Sequence, residues 1–250
     1  MTDPVRFALA SGAALVAGMA NAIAGGGSLI TFPALVAGGM TAVAASVTNT
    51  IAMFPGYIGA TFAQRRDLVG QRARAVVLVP VSAVGGVIGA ILLLHTGEAA
   101  FATIVPYLIL FAAVLLAVQD HLRGWLLAMT GAGRSEAWAA VPVGLAAVYG
   151  GYFGAGLGVM LLAAFGVLVG DSLIRLNALK QAVSLAINVA AAVVFLFSDQ
   201  IDWPIACVMF AASLAGGALG GAIASRIPPA VLRWTVVTLA VIVAIVYLAR

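Results

Sequence analysis

Charged residues are scarce in this chain. They make up 8% of its 250 residues, whereas a soluble domain usually carries about 25%. The uncharged stretches, of which the longest lies between Arg6 and Arg65, approach or exceed the roughly 20 residues that cross about 30 Å of hydrocarbon. The other stretches are 75–94, 99–119, 137–170, 181–198 and 203–225. Because they have almost no polar face, they exclude a water-exposed globular domain and predict an all-α integral membrane protein.

Cysteine and histidine are almost missing as well, with Cys207, His95 and His121 as the only examples. One cysteine excludes a framework of disulfides, and these residues do not have the spacing of a metal site. Ser28 stands beside glycines and resembles a serine nucleophile, but both histidines fall in polar segments away from it, and a nucleophile needs a base within hydrogen-bond reach. The sequence therefore predicts no enzyme, no metal site and no cofactor.

Two segments that contain glycine recur at an offset of 131 residues, which divides the chain into two related halves. Segment 24–28 matches 155–159, and 85–89 matches 216–220. A polar stretch separates the halves. The predicted parts are a first transmembrane repeat at 1–118, a cytoplasmic linker at 119–136 and a second transmembrane repeat at 137–250.

Basic residues indicate that the halves have opposite orientations. Four arginines crowd the loop 65–74 of the first half, whereas the equivalent loop 198–202 has no basic residue. Positive loops stay cytoplasmic, so the halves are predicted to be inverted repeats, with both chain termini opposite the linker side. The net charge of +4 then reflects membrane topology and not a nucleic-acid surface.

Each half begins with a segment that glycines interrupt. Segment 137–170 must start and finish on one side, because the linker and the turn 171–175 are both predicted to be cytoplasmic. Its 34 residues make about 51 Å of helix, which is short for two full crossings. We therefore predict two helical arms that meet inside the protein, with a break within 150–158. Segment 7–39 is predicted to break at 25–27, and its recurrence in mid-chain favours mature sequence over a signal peptide. Three transmembrane helices are expected to follow each pair of arms.

The breaks form the core of a predicted binding site. A helix that begins at a break presents N–H donors and the positive end of its dipole, which suits an anion. Unwound backbone is tolerated in a membrane only where protein or a watery cavity surrounds it. The alternative is that these glycines only permit close packing, which is the preferred interpretation for 85/89 and 216/220. The breaks contribute Gly25, Gly26, Gly27, Ser28, Gly154, Gly156 and Gly158.

Polar residues on the next helix of each half complete the predicted site. In the second half they recur at helical spacing on one face, with Lys180 beside them. Amides and an ammonium are costly in lipid, so they are expected to point inward. The alternatives are hydrogen bonds between helices for Ser184 and Asn188, and a reach to the cytoplasmic surface for Lys180. The predicted binding residues here are Ser46, Thr48, Asn49, Asn177, Lys180, Gln181 and Asn188.

The same segments resemble the two signatures of the sulfite exporter (TauE/SafE) family. The likeness preserves order and spacing over nearly the whole chain. It departs at Ser28 and Leu157, where other members often have glycine, and these departures leave the choice of substrate open. The first signature corresponds to 21–33 and 45–50, and the second to 150–158 and 176–181.

The resemblance implies a multi-pass inner-membrane protein that moves sulfite, sulfonates or related small anions. We expect a secondary transporter that works by alternating access, with export as the direction, because the membrane potential favours the exit of anions. An anion channel and a membrane partner protein without transport activity are the alternatives. The predicted partners are a small anionic substrate and membrane lipid, with no nucleic acid; the coupling ion and a homodimer stay open.

Overall fold

The computed structural model describes residues 3–23, 26–128, 139–168, 171–223 and 228–249. Within those residues all ten principal elements are α-helices, which confirms the all-α class. They are α1 (Asp3–Ile23), α2 (Ser28–Ala37), α3 (Ala42–Ala63), α4 (Arg72–Thr96), α5 (Glu98–Ala128), α6 (Ala140–Tyr152), α7 (Leu157–Leu168), α8 (Leu173–Phe195), α9 (Trp203–Ile223) and α10 (Pro229–Leu248).

Five of the described helices, α4, α5, α8, α9 and α10, are long and apolar enough to cross a membrane. Their outer faces expose large aliphatic side chains, such as Val84 and Ile88 on α4 and Ile242 on α10. Apolar exposure of this extent suits lipid and is rare on soluble monomers. The chain is therefore a multi-pass membrane protein.

Both predicted helix interruptions are present. Helix α1 ends at Ile23 and α2 begins at Ser28, and α6 ends at Tyr152 before α7 begins at Leu157. Helices α2 and α7 have 10 and 12 residues, so that at about 15 and 18 Å they cross only about half of the hydrocarbon. The first pair is unequal, because α1 has 21 residues and is about 31 Å long. The predicted site residue Gly25 lies outside the described residues.

Close glycine contacts pack the two halves against each other. The first helix of each half lies on the fourth helix of the other, α1 on α9 and α6 on α4. A Cβ on Gly89 would lie 2.0 Å from the Val148 carbonyl oxygen, and one on Gly216 2.0 Å from that of Leu15, so only glycine fits. This reciprocal packing agrees with the preferred interpretation of these glycines. The inverted orientation of the halves stays a prediction.

Apolar side chains form two cores. The smaller core joins Leu78 of α4 to residues of α6, α7 and α8, among them Leu161 and Val183. The larger core surrounds Phe32 and Phe101 and draws on α1, α2, α3, α4, α5, α8, α9 and α10. Since α4 comes from the first half and packs in the core of the second, the predicted repeats 1–118 and 137–250 are interleaved.

The predicted linker 119–136 begins as helix, because α5 continues to Ala128. Residues 129–136 lie outside the described residues. Within the helical part, Asp120 forms a salt bridge with Arg233, at 2.5 Å between Oδ2 and Nη2. This pair joins the C-terminal third of α5 to the second turn of α10.

Candidate functional site

A glycine and an asparagine shape the first interruption. Gly26 has φ +85°, a left-handed conformation that favours glycine. The Gly27 N–H donates a 2.8 Å hydrogen bond to Asn21 Oδ1, and a Cβ on Gly27 would lie 2.7 Å from the Ala17 carbonyl oxygen. The chain can therefore turn closely against α1 only because residue 27 is glycine. Ser28, half-buried, then begins α2, whose N-terminus carries the positive end of its dipole.

Two glycines and a tyrosine shape the second interruption. Gly154 and Gly156 have φ +74° and +75°, which again favours glycine. The Tyr149 hydroxyl donates a 2.6 Å hydrogen bond to the carbonyl oxygen of Ala155, between the two glycines. The carbonyl oxygen of Tyr149 accepts from the Gly154 N–H at 3.1 Å. One side chain of α6 therefore holds the unwound backbone in a fixed shape.

Both interruptions contact the same stretch of α5. A Cβ on Gly26 would lie 2.9 Å from Leu116 Cδ2, and one on Gly156 would lie 3.4 Å from Ala112 Cα. These contacts on α5 are four residues apart, which places them on one face and about 6 Å apart along the helix axis. The rings of Phe32 and Phe153 also meet edge to face, with centroids 5.2 Å apart, and join α2 to the second interruption. The structure therefore brings the two interruptions together.

Asn49 lies next to the first interruption. Its Oδ1 accepts a 2.5 Å hydrogen bond from the Thr31 hydroxyl, and the Thr31 hydroxyl also lies 3.3 Å from the Gly27 carbonyl oxygen. Asn49 and Thr31 are both buried. With Oδ1 engaged, the amide of Asn49 keeps its two N–H donors for other acceptors.

Lys180 lies next to the second interruption. A Cβ on Gly158, in the first turn of α7, would lie 3.9 Å from Lys180 Nζ. The ammonium donates a 2.7 Å hydrogen bond to Asn177 Oδ1, and Asn177 Nδ2 donates one of 2.7 Å to Gln64 Oε1 at the end of α3. The side chain therefore lies beside the first turn of α7, and its part in binding stays a prediction.

The other predicted residues are more dispersed. Ser46 is buried, and its carbonyl oxygen accepts a hydrogen bond from the hydroxyl of Thr50, one turn later on α3. The Thr48 hydroxyl accepts a 3.1 Å hydrogen bond from the Asp202 N–H, in the loop between α8 and α9. Asn188 Nδ2 donates to the Ser184 carbonyl oxygen of its own helix. Gln181 is half-buried on α8. Their part in binding stays a prediction.

Four residues that position the site were not among those predicted to bind: Asn21, Thr31, Gln64 and Tyr149. Thr31 follows Gly27 by four residues, which is the spacing of a back-bonded hydroxyl on a helix. Asn21 stands just before the glycine run and could have been recognised as a side-chain cap. The hydrogen bond that Asn177 donates to Gln64 joins residues 113 positions apart and leaves no local signal in the sequence.

Polar contacts join the loop between α3 and α4, and the first turn of α4, to Asp171 and the first turn of α8. We call this set the loop clasp. Asp171 Oδ2 accepts from Arg74 Nη1 at 2.5 Å and from Arg175 Nε at 3.0 Å, and Gln71 Nε2 donates to the Arg175 carbonyl oxygen at 2.9 Å. Burial alone would raise the pKa of Asp171, but the hydrogen bonds from Arg175 and Arg74 outweigh it and hold that pKa below its usual value.

These features define a multi-pass membrane protein built around two interrupted helices, an architecture that many transporters share. Residues 10–247 match the family model described as sulfite exporter TauE/SafE. The chain therefore belongs to the TauE/SafE family and is a membrane transporter.

Relatives with curated names agree. The "Probable membrane transporter protein YfcA" of Escherichia coli strain K12 is 26% identical over 226 residues, 88% of this chain and 81% of that protein. A "Probable membrane transporter protein" of Haemophilus influenzae is 30% identical over 211 residues, 82% of this chain and 80% of that protein. A third, named ORF9, from Sinorhizobium sp., is 27% identical over 215 residues, 83% and 79% of the two chains. No solved structure matches the chain.

Proposed function

We propose that the chain is a secondary transporter that moves small sulfur-containing anions, such as sulfite or sulfonates, by alternating access around the two helix interruptions. The observation that carries the proposal is the contact of both interruptions with one face of α5, at Leu116 and Ala112. Two helix N-termini that begin beside one face of α5 supply N–H donors and positive potential to one anion. A site of this kind at a repeat interface is typical of secondary transporters.

Side chains at the two N-termini complete the proposed site. Lys180 brings a full positive charge to the first turn of α7, and Asn49 brings amide donors to the first turn of α2. An oxyanion accepts several hydrogen bonds at once, so a cation and an amide on opposite sides match its charge and its oxygens. The family description supports sulfite or a related sulfur oxyanion as the substrate.

Topology sets the proposed direction. We place the protein in the inner membrane, with the linker 119–136 in the cytoplasm and both termini on the other side, because four arginines lie in the loop 65–74. The reciprocal packing of α1 on α9 and α6 on α4 supports inverted repeats. A negative cytoplasm favours the exit of an anion by about 2.3 kcal/mol per charge per 100 mV, so export is the proposed direction.

A thermal-shift screen in detergent tests the binding site. We expect sulfite or a sulfonate, among sulfite, sulfate, thiosulfate, sulfoacetate, taurine and carboxylates, to raise the melting temperature of the protein. The variants Lys180→Ala and Asn49→Ala are expected to lose that rise. If both respond like the parent protein, the proposed site is wrong.

Transport in proteoliposomes tests the mechanism. A carrier exchanges labelled sulfite for internal unlabelled sulfite and saturates, because it must bind the anion before it changes conformation. A channel passes sulfite without counterflow, and a membrane partner protein passes none. Either of the last two results, with active protein confirmed by binding, would replace the proposed carrier with the corresponding alternative.

A further inference from the structure

A buried arginine lies one helical turn from the first interruption. Arg233 is 6% exposed and belongs to the buried stripe of α10. A Cβ on Gly26 would lie 3.5 Å from Cγ1 of Val236, which is on the same face of α10 as Arg233. Because Arg233 precedes Val236 by three residues, its backbone is displaced from that contact by about 4.5 Å along the helix axis. The other residues of the stripe are Val237, Ala240 and Ala244.

Asp120, the salt-bridge partner of Arg233, lies on α5 about one turn from the residue that contacts Gly26. A Cβ on Gly26 would also lie 2.9 Å from Leu116 Cδ2, and Asp120 follows Leu116 by four residues on the same face of α5. The Asp120 side chain is 60% exposed, whereas that of Arg233 is 7% exposed. The carboxylate therefore reaches water and the guanidinium does not.

This salt bridge does not satisfy the guanidinium. Arg233 Nε is buried and has no hydrogen-bond partner among the described residues. A guanidinium carries five N–H donors and no acceptor, and a buried donor without a partner is unfavourable. An anion with several oxygens would fill this need, because guanidinium groups bind planar and tetrahedral oxyanions through two parallel hydrogen bonds.

We propose that Arg233 is a further binding residue for the transported anion, and that Asp120 is its resting counter-ion, which the anion replaces. This inference rests on the proposed function. Replacement of Asp120 costs little because a mostly exposed carboxylate keeps its hydration. The exchange leaves the buried charge of Arg233 balanced in both states. The empty transporter can therefore change conformation without an unpaired charge in the membrane.

Binding of sulfite to the full protein in detergent, measured by calorimetry under nitrogen, tests this inference. Arg233→Gln is expected to weaken sulfite binding at least tenfold, and Arg233→Lys to weaken it less because the charge remains. Asp120→Asn is expected to tighten binding several-fold, because it removes the competing carboxylate. Arg65→Gln, which removes an exposed arginine of the loop between α3 and α4, is the matched control and is expected to bind like the parent. Dimethyl sulfone, neutral and of similar shape, should not bind.

A purely structural salt bridge gives a different pattern. Arg233→Gln and Asp120→Asn both break the bridge, so a structural role predicts that binding changes in the same direction in both. That result, or an Arg233→Gln variant that binds like the parent, would overturn the inference and leave the proposed function intact. The double variant removes both charges of the bridge and guards against misfolding from the loss of only one of them. It is expected to bind weakly, and binding like the parent would also overturn the inference. If the parent protein binds none of sulfite, sulfate and sulfoacetate, the proposed function fails and this inference fails with it.

Discussion

The hydroxyl of Thr31 donates a 2.5 Å hydrogen bond to Oδ1 of Asn49. Both side chains are buried, so the bond joins α2 to α3 in an apolar surrounding. The same hydroxyl lies 3.3 Å from the Gly27 carbonyl oxygen at the first interruption. One hydroxyl group thus positions the short helix, the interruption and the Asn49 amide relative to one another.

Thr31→Val, which keeps the shape and removes the hydroxyl, is expected to lower the free energy of unfolding by about 1–3 kcal/mol, because Asn49 Oδ1 loses its partner inside the protein. Sulfite binding should weaken as well, since the amide is no longer held. Melting temperature and calorimetric affinity measure the two effects. The double variant Thr31→Val with Asn49→Leu is expected to regain most of the stability but not the binding, since both polar partners are then gone. A single variant that melts like the parent would contradict this account.

The interruptions could be predicted from the sequence because they depend on local backbone conformation. Glycines at 26, 154 and 156 adopt φ values that other residues avoid. A cluster of glycines in the sequence therefore indicates such an interruption. The shared contact with α5 could not be predicted in this way, because Leu116 and Ala112 are far in sequence from both interruptions. The packing of α1 on α9 could not be predicted either, because these two helices are also far apart in sequence.

The placement of Thr48 illustrates the limit of motif reasoning. Adjacent residues on a helix project about 100° apart, so the side chains of Thr48 and Asn49 point in different directions from α3. In the structure Asn49 meets α2, whereas the Thr48 hydroxyl accepts from the Asp202 N–H. Helical periodicity implies that the two side chains diverge, but it does not tell which of them faces the interruption, and the part of Thr48 in binding stays a prediction.

The glycine contact between α1 and α9 gives a matched pair of variants. A Cβ on Gly18 would lie 2.2 Å from the Ser213 carbonyl oxygen, whereas one on Gly12, also on α1, would meet nothing within 4 Å. Gly18→Ala is therefore expected to destabilise the protein by about 1–3 kcal/mol or to prevent its folding, because backbone must move. Gly12→Ala is expected to be neutral or to stabilise by up to about 1 kcal/mol, through the helix propensity of alanine. Melting temperatures in detergent compare the two, and equal values would show that α1 does not pack so closely on α9.

The loop clasp gives a dependence of stability on pH. The pKa of Asp171 is held below its usual value in the folded protein, so the carboxylate stabilises the fold at pH values above the unfolded pKa. This contribution is lost as the pH falls through the folded pKa, below about pH 4. The difference in melting temperature between the parent and Asp171→Asn should thus be constant from about pH 5 to 7 and should shrink below about pH 4. Asp199→Asn, which changes an exposed carboxyl between α8 and α9, is the control and should melt like the parent. A difference that grows on acidification would show that the ionised Asp171 does not stabilise the fold through the loop clasp.

The hydrogen-bonded row from Lys180 through Asn177 to Gln64 predicts a graded effect on transport. Lys180→Met removes the charge beside α7 and is expected to reduce sulfite affinity about tenfold or more, since a charge-assisted hydrogen bond contributes about 1.5–3 kcal/mol. Asn177→Leu keeps the ammonium but removes its acceptor, so we expect a smaller loss. Gln64→Leu removes only the bond to Asn177 and should raise the half-saturating sulfite concentration about two- to threefold, because one neutral hydrogen bond contributes about 1 kcal/mol or less. Initial rates of sulfite uptake into proteoliposomes give the three values. The reverse order, with Gln64→Leu the most damaging, would contradict this account. It would mean that these hydrogen bonds serve to hold the end of α3 against α8 and do not position Lys180 for an anion.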